Sequence, residues 1–314
     1  MSILDFCRNE TQMPCKYLFL GQLCGNSTVS LAFDSESIYK YSCDWLYLID
    51  SYLHYSPTLG IYTQLLNVFQ NCRSVEGIRI PGRSVLVSTS FSSGTVHGYI
   101  GILEILLSLN GSYDTYVVHQ NAQNGIKDLI ELAVPSEKIY YILPDTLYAF
   151  DDLTLIPVRT HSIHFSESEK GLIRPITDFV HRLLFDSKES PLSETVVVLK
   201  SSTSANLTGD GIFPYNTIVE FCDQKAWTRV EPIDHKEDEY ARIIHGSKRL
   251  VISFGTTWMK AMLYVSDRCE QIDVVIIGLV YQEQYNAFQG THAAFPSQYK
   301  NARITYHTSL DTVV

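Results

Sequence analysis

Hydrophobic and polar positions fall into readable groups from residue 84 onward. Ser84–Ser90 (SVLVSTS) has the length and β-branched content of a strand, and Phe91–Thr95 (FSSGT) follows as a turn. Residues 96–109 predict a helix, 113–119 a strand, 124–133 a helix, 138–142 a strand and 153–158 a strand. A longer helix is expected over about 167–186. Ser166 and Glu169 have capping-box spacing, Ile176, Phe179, Val180, Leu183 and Leu184 recur at helical period, and Pro175 is a possible kink.

The polar segment DSKESPLSE (186–194) predicts a linker, after which the same grammar restarts. Thr195–Leu199 (TVVVL) is a strand of the buried type. Residues 214–223 predict a helix with Pro214 in its first turn, and 227–230 a short strand. Helix 236–245 carries an apolar stripe of Tyr240, Ile243 and Ile244. Strand 250–253, helix 257–264 and strand 273–278 follow. Strands alternating with helices predict an α/β fold with parallel sheets in two domains, 1–186 and 187–285. Residues 1–80 give no clear pattern. Residues 286–314 are polar and aromatic, and are expected to pack back on the first domain.

Composition narrows the classes. The 314-residue chain is 45% hydrophobic and 18% charged, which excludes a disordered chain, a collagen and a coiled coil. Lys and Arg number 24 against 34 Asp and Glu, a net charge of −10. That balance, with no basic stripe, argues against nucleic acid as partner. The longest apolar runs, 102–107 and 274–280, are too short for a membrane span. MSILDFCRNE lacks the layout of a secretory signal, so a cytoplasmic location is expected, with its seven cysteines as reduced, small apolar side chains. The sequons at Asn9, Asn26, Asn110 and Asn206 then read as chance matches.

Two constellations carry candidate chemistry. On helix 96–109, His97, Gly101, Glu104 and Ser108 share a narrow polar seam on an otherwise apolar surface. His97 is the first candidate for a general base and Glu104 its partner or substitute, against the plainer reading of polar groups satisfied inside a core. The second constellation is an anion cradle. Strand 250–253 ends at Ser253 and runs through Gly255, Thr256 and Thr257 into a helix carrying Lys260, while Lys200 and Ser201 close strand 195–199. Glu237, in the acidic start of helix 236–245, could reach a ribose or simply complement the helix dipole. Asp151-Asp152 reads as a solvated turn and Gly209-Asp210-Gly211 as a plain turn. The Gly-rich dinucleotide fingerprint, the P-loop and the Gly-x-Ser-x-Gly elbow are absent, and no Cys/His pair has zinc-ligand spacing.

Together these residues resemble glycosyltransferase family 61, over about 84–280. The family opens a helix of its N-terminal domain with a His, here His97 after Gly94-Thr95-Val96, usually with Asp four residues on, where Gly101 stands. Its C-terminal domain has a strand ending in Arg, here Lys200. Its Gly-Ala-Gly-Leu-Thr-Asn signature falls at Gly255-Thr256-Thr257-Trp258-Met259-Lys260. The resemblance implies a GT-B-like fold, two Rossmann-like parallel-sheet domains facing a cleft. It implies inverting transfer from a UDP-sugar to an oligosaccharide or glycoprotein acceptor, without metal or cofactor. Members lacking a signal or membrane anchor resemble those of large algal DNA viruses, which favours xylose, then GlcNAc. The donor would lie on Lys200, Ser201, Ser253, Gly255, Thr256, Thr257, Lys260 and Glu237. Two other readings remain beside it: a non-catalytic glycan- or nucleotide-binding protein on the same fold, which Gly101 and Lys260 favour, and an enzyme using NAD or S-adenosylmethionine.

Overall fold

A computed structural model of the chain describes residues 13–22, 28–33, 38–41, 77–88, 96–109, 111–156, 167–185, 190–199, 215–232, 234–253, 260–275, 302–307 and 312–313. The chain divides into two compact units, Met1–His161 and Ser162–Val314.

The first unit holds a seven-stranded sheet in the order β3-β2-β1-β7-β4-β5-β6. Its parallel part is β7 (Leu147–Leu155), β4 (Ile78–Leu86), β5 (Thr115–His119) and β6 (Ile139–Ile142). Helix α1 (Val96–Leu107) connects β4 to β5, and α2 (Asn124–Ala133) connects β5 to β6. Residues 99–106 of α1 are all buried, so its apolar surface is spent on the core. Leu18, Ile80, Leu86, Val117, Ile142, Tyr148, Phe150, Leu153 and Leu155 form the apolar cluster of this sheet.

The sheet is mixed rather than parallel throughout, which corrects the expectation for the first domain. Strands β1 (Met13–Gln22), β2 (Thr28–Phe33) and β3 (Ile38–Tyr41) add to the outer edge of β7 in antiparallel register. They lie in the stretch whose pattern was unreadable. In β1, Tyr17, Leu18, Phe19 and Leu20 are apolar on both parities, so no period of two distinguishes a face.

Strand β4 bulges at Pro81-Gly82, where its register against β7 shifts. Gly82 has φ +79°, and its N–H donates to Asp151 Oδ2 at 3.2 Å. The Arg83 N–H donates to Asp114 Oδ2 at 2.9 Å, and Arg79 pairs with Asp151 at 2.9 Å. Asp151 and Asp152, expected on a solvated turn, lie instead within β7; both are exposed, and they face Arg79 and Arg83 as ion-pair partners.

The second unit is built on a fully parallel five-stranded sheet in the order β12-β11-β10-β8-β9. Its strands are β8 (Ser193–Val198), β9 (Thr228–Val230), β10 (Ser247–Ser253), β11 (Gln271–Val275) and β12 (Arg303–His307). Helix α4 (Tyr215–Lys225) lies between β8 and β9 in sequence, and α5 (Glu237–His245) between β9 and β10. These two crossovers run in opposite lateral directions. Right-handed connections therefore place α4 and α5 on opposite faces. The α4 face is packed by Val197, Leu199, Ile218, Cys222, Val251, Val275 and Val313.

Helix α3 (Glu167–Phe185) belongs to this unit, so the boundary lies at 161/162 and not in the segment 186–194. Contacts made late in the helix hold it there. His181 Nε2 lies 3.1 Å from the Leu263 carbonyl oxygen, and Phe185 stacks on His245 at 3.9 Å. The polar segment expected to be a linker is tied down in part by Ser190 Oγ, 2.9 Å from His245 Nδ1. Ser166 of the expected capping box lies outside the described residues. Residues 303–307, expected to return to the first domain, instead form β12 and pair with β11 from Gln271↔Arg303 to Val275↔His307. RITYH has no apolar run, and only pairing with a neighbouring strand makes it one.

The turn from α5 into β10 leaves no room for a side chain. A Cβ on Gly246 would lie 1.8 Å from the Pro191 carbonyl oxygen, which belongs to backbone and cannot swing away. Gly246→Ala is expected to lower stability by about 3 kcal/mol or more. Gly82→Ala, strained by its positive φ and 2.7 Å from Asp114 Oδ2, should cost about 1–2 kcal/mol. Urea denaturation of the two variants checks both values. A Gly246→Ala protein as stable as wild type would contradict the close approach.

Candidate functional site

Renumbered within the second unit, the strand order is 2-1-3-4-5. Such a doubly wound sheet reverses direction between its first and third strands, here β8 and β10, and opens a crevice at their carboxyl ends. Both expected donor segments leave the sheet there. Lys200 and Ser201 follow Val198-Leu199 at the end of β8, and Ser253 is the last residue of β10, leading to Gly255, Thr256 and Thr257. Lys200, Ser201, Gly255, Thr256 and Thr257 lie outside the described residues, as does the Ser253 side chain. Topology thus brings these segments to neighbouring strand ends and does not describe their side chains.

Two expected site residues do meet. Glu237 is the first residue of α5 and is 2% exposed. Lys260 opens the helical turn described over 260–262, and its Nζ donates to Glu237 Oε2 at 2.5 Å. The Tyr264 hydroxyl donates to Glu237 Oε1. The Lys260 ammonium also lies 5.0 Å from the centroid of the Tyr240 ring, which packs edge-on to Tyr264. One buried carboxylate therefore receives an ammonium and a phenol, at the N-terminal, electropositive end of a helix. The Tyr240 hydroxyl is buried with no hydrogen-bond partner among the described residues. Burial, with the Glu237 charge, holds this phenol well above its ordinary range, so it stays protonated.

Tyr240 and Tyr264 were not expected at the site. Their spacing carried the signal, since Tyr240 lies three residues after Glu237 and Tyr264 four after Lys260. On a helix each aromatic ring then shares a face with its charged partner. Lys260 was expected as a point charge for phosphate. It is instead shared with a buried acid, so an arriving anion meets a compensated pair.

In the first unit, the backbone of His97 lies in the first turn of α1. Glu104 follows two turns later on the same helical face and is 4% exposed in a buried, otherwise apolar stretch. Gly101 is buried between them. The carboxyl ends of β4 and β5 bring Ser88 and His119 together, and the backbone N–H of His119 donates to Ser88 Oγ at 3.2 Å. His119 is fully buried, and burial pushes its imidazole down to about 3. It is neutral at physiological pH.

Cys222 and Cys269 are buried free thiols, both pushed by burial to about 11, which makes them unreactive. Among the described residues, no group of three His, Cys, Asp or Glu side chains could hold a metal ion. No described helix is long and apolar enough to cross a membrane. The four sequon asparagines lie outside the described residues. No family model and no characterised relative matches this chain. Fold and site define a two-unit α/β protein whose second unit is a parallel sheet with a buried Glu–Lys–Tyr cluster beyond its carboxyl edge.

Two predictions follow from burial and charge. Lys260→Met alone leaves Glu237 buried without its cation and should cost about 3–5 kcal/mol, while Glu237→Gln combined with Lys260→Met should recover most of that loss. Equal stability of the single and double variants in urea would exclude the coupling. His119 and His245 both titrate below their ordinary 6.5. Burial pushes His245 to about 4, helped by His181 and Arg268. The unfolded chain therefore binds more protons than the folded one between these values. Stability is complete above about 6.5 and falls with pH, by up to about 1.4 kcal/mol per pH unit for each histidine. Urea midpoints from pH 7.5 to 4.5 should show this slope, and His119→Gln should reduce it.

Proposed function

We propose that this protein is an inverting, metal-independent glycosyltransferase of GT-B-like build that uses a UDP-sugar, xylose before GlcNAc. The observation that carries the reading is the 2-1-3-4-5 parallel sheet. Its switch point falls where the segments with Lys200, Ser201, Ser253, Gly255, Thr256 and Thr257 leave β8 and β10. Backbone N–H groups of a glycine- and threonine-bearing segment such as Gly255-Thr256-Thr257 would suit a diphosphate, and the shared Lys260 ammonium would add charge beside it. Glu237 holds that ammonium in place and is the acid nearest to it for a ribose hydroxyl.

Inversion at an anomeric carbon requires one displacement. A base takes the proton of the acceptor hydroxyl as the sugar–phosphate bond breaks, and the departing diphosphate needs compensation. In this reading the first unit supplies the base, His97 first and Glu104 second. Lysines and helix N–H groups do the work that a metal performs elsewhere. A non-catalytic nucleotide- or glycan-binding protein is the second reading. It is favoured by Gly101, which puts no side chain between His97 and Glu104, and by a Lys260 already engaged with Glu237.

Thermal shift with UDP, GDP and CMP, each with and without EDTA, separates these readings. UDP at a hundred times its Kd should stabilise the protein by about 2.7 kcal/mol whether or not EDTA is present. Hydrolysis of UDP-xylose should then fall by about 10²–10⁴ in His97→Ala with UDP binding retained. UDP binding without turnover selects the binding protein. Activity abolished by EDTA and restored by Mn²⁺ ends the metal-independent reading, and no shift with any nucleotide ends the donor assignment.

A further inference from the structure

The α4 face of the second unit carries a chain of polar groups that the donor reading does not use. Asp273 sits in the middle of β11 with its side chain 0% exposed. Strand alternation puts it on the same face as Val251 and Val275 of the apolar cluster. Arg249 Nε donates to Asp273 Oδ2 at 2.6 Å, and Gln271 Nε2 lies 2.9 and 3.0 Å from the two carboxylate oxygens. Burial pushes this carboxyl up, but hydrogen bonds from Gln271, His307 and Arg249 outweigh it and hold the group below the usual range. Asp273 is thus a fixed carboxylate. Its Oδ1 lies 2.8 Å from Nε2 of His307, at the end of β12. A carboxylate only accepts, so Nε2 carries a proton, and in the neutral imidazole Nδ1 then presents its lone pair. At 3.0 Å from Nδ1 lies Oγ1 of Thr312, an exposed residue.

We propose that Asp273, His307 and Thr312 form a hydroxyl-activating relay, and that Thr312 Oγ1 is a nucleophile that accepts acyl groups from activated esters. Carboxylate, oriented imidazole and hydroxyl stand in the order that nucleophilic catalysis requires. Thr312 Oγ1 bonds to the ester carbonyl carbon while its proton passes to His307 Nδ1. The carbon–oxygen bond to the leaving alcohol then breaks. That alcohol departs as its anion or takes the proton from His307. The products are an O-acyl Thr312 and a free alcohol, with no oxidant or reductant involved. Asp273 is a positioning residue that holds the His307 tautomer. Arg249 and Gln271 keep Asp273 ionised and in place. The relay stands independently of the glycosyl-transfer reading.

The test is incubation of the full chain with p-nitrophenyl acetate at neutral pH, with nitrophenolate release followed by absorbance and acetyl groups located by peptide mass spectrometry. Thr312 should acetylate at least about tenfold faster than other exposed Ser and Thr hydroxyls, and His307→Gln should remove that advantage. Thr312→Ser should keep the reaction. Thr312→Val should abolish it while the chain stays folded by circular dichroism, at the cost of the one hydrogen bond to His307. If His307→Gln does not fold, the rate ratio in wild type and the Thr312 variants still decide. Acetylation of Thr312 no faster than that of other hydroxyls, or acetyl remaining on His307 without transfer, overturns the relay.

Discussion

A buried carboxylate must be compensated where it stands, and the second unit is organised around two of them. Desolvation of an uncompensated ion costs several kcal/mol, a large share of the net stability of a domain. Glu237 meets this demand by drawing Lys260 and Tyr264 from the segment after β10 onto the start of α5. Asp273 meets it by drawing Arg249 from β10 and His307 from β12 onto β11. Neither cluster can form unless the strands hold their order, so the ion pairs report the topology as much as they stabilise it.

The two clusters differ in what they leave available. Glu237 belongs to α5, on one side of the parallel sheet, where aromatic rings of Tyr240 and Tyr264 surround a nearly neutral pair. Asp273 belongs to the α4 side, where its network leads through His307 to an exposed hydroxyl. In the first arrangement the ammonium is already shared with a buried acid. In the second, a carboxylate that only accepts, an imidazole with two ring nitrogens and a hydroxyl stand in sequence. Opposite crossover directions separate the two clusters onto the two faces of one sheet.

The first unit uses burial differently. Its helix α1 is apolar almost throughout and its histidine at the end of β5 is kept neutral by desolvation. The bulge at Gly82 turns the exposed start of β4 and is held by three charged side chains, Arg79, Asp114 and Asp151. Polar chemistry here sits at the strand ends, where Ser88 and His119 meet, and on the Glu104 face of α1.

Sequence alone determined the elements whose pattern is local. The helices near 96–109, 124–133 and 236–245, the strand at 195–199 and the alternation of strand and helix follow from periodicity, because burial of one face imposes it. The candidate residues Glu237 and Lys260 were legible too, as charges at the starts of helices. Three things were decided only by tertiary structure. Strands β1 to β3 lack a distinguishing period, and β12 has no apolar run, so neighbouring strands define them. Helix α3 joined the second unit because the groups that hold it, the His245 ring and the Leu263 backbone carbonyl, are some sixty to eighty residues away. The pairing of Glu237 with Lys260, and of Asp273 with His307, joins residues 23 and 34 apart. Spacing within one element cannot encode such a meeting. It is set by strand order, which packing and crossover handedness decide.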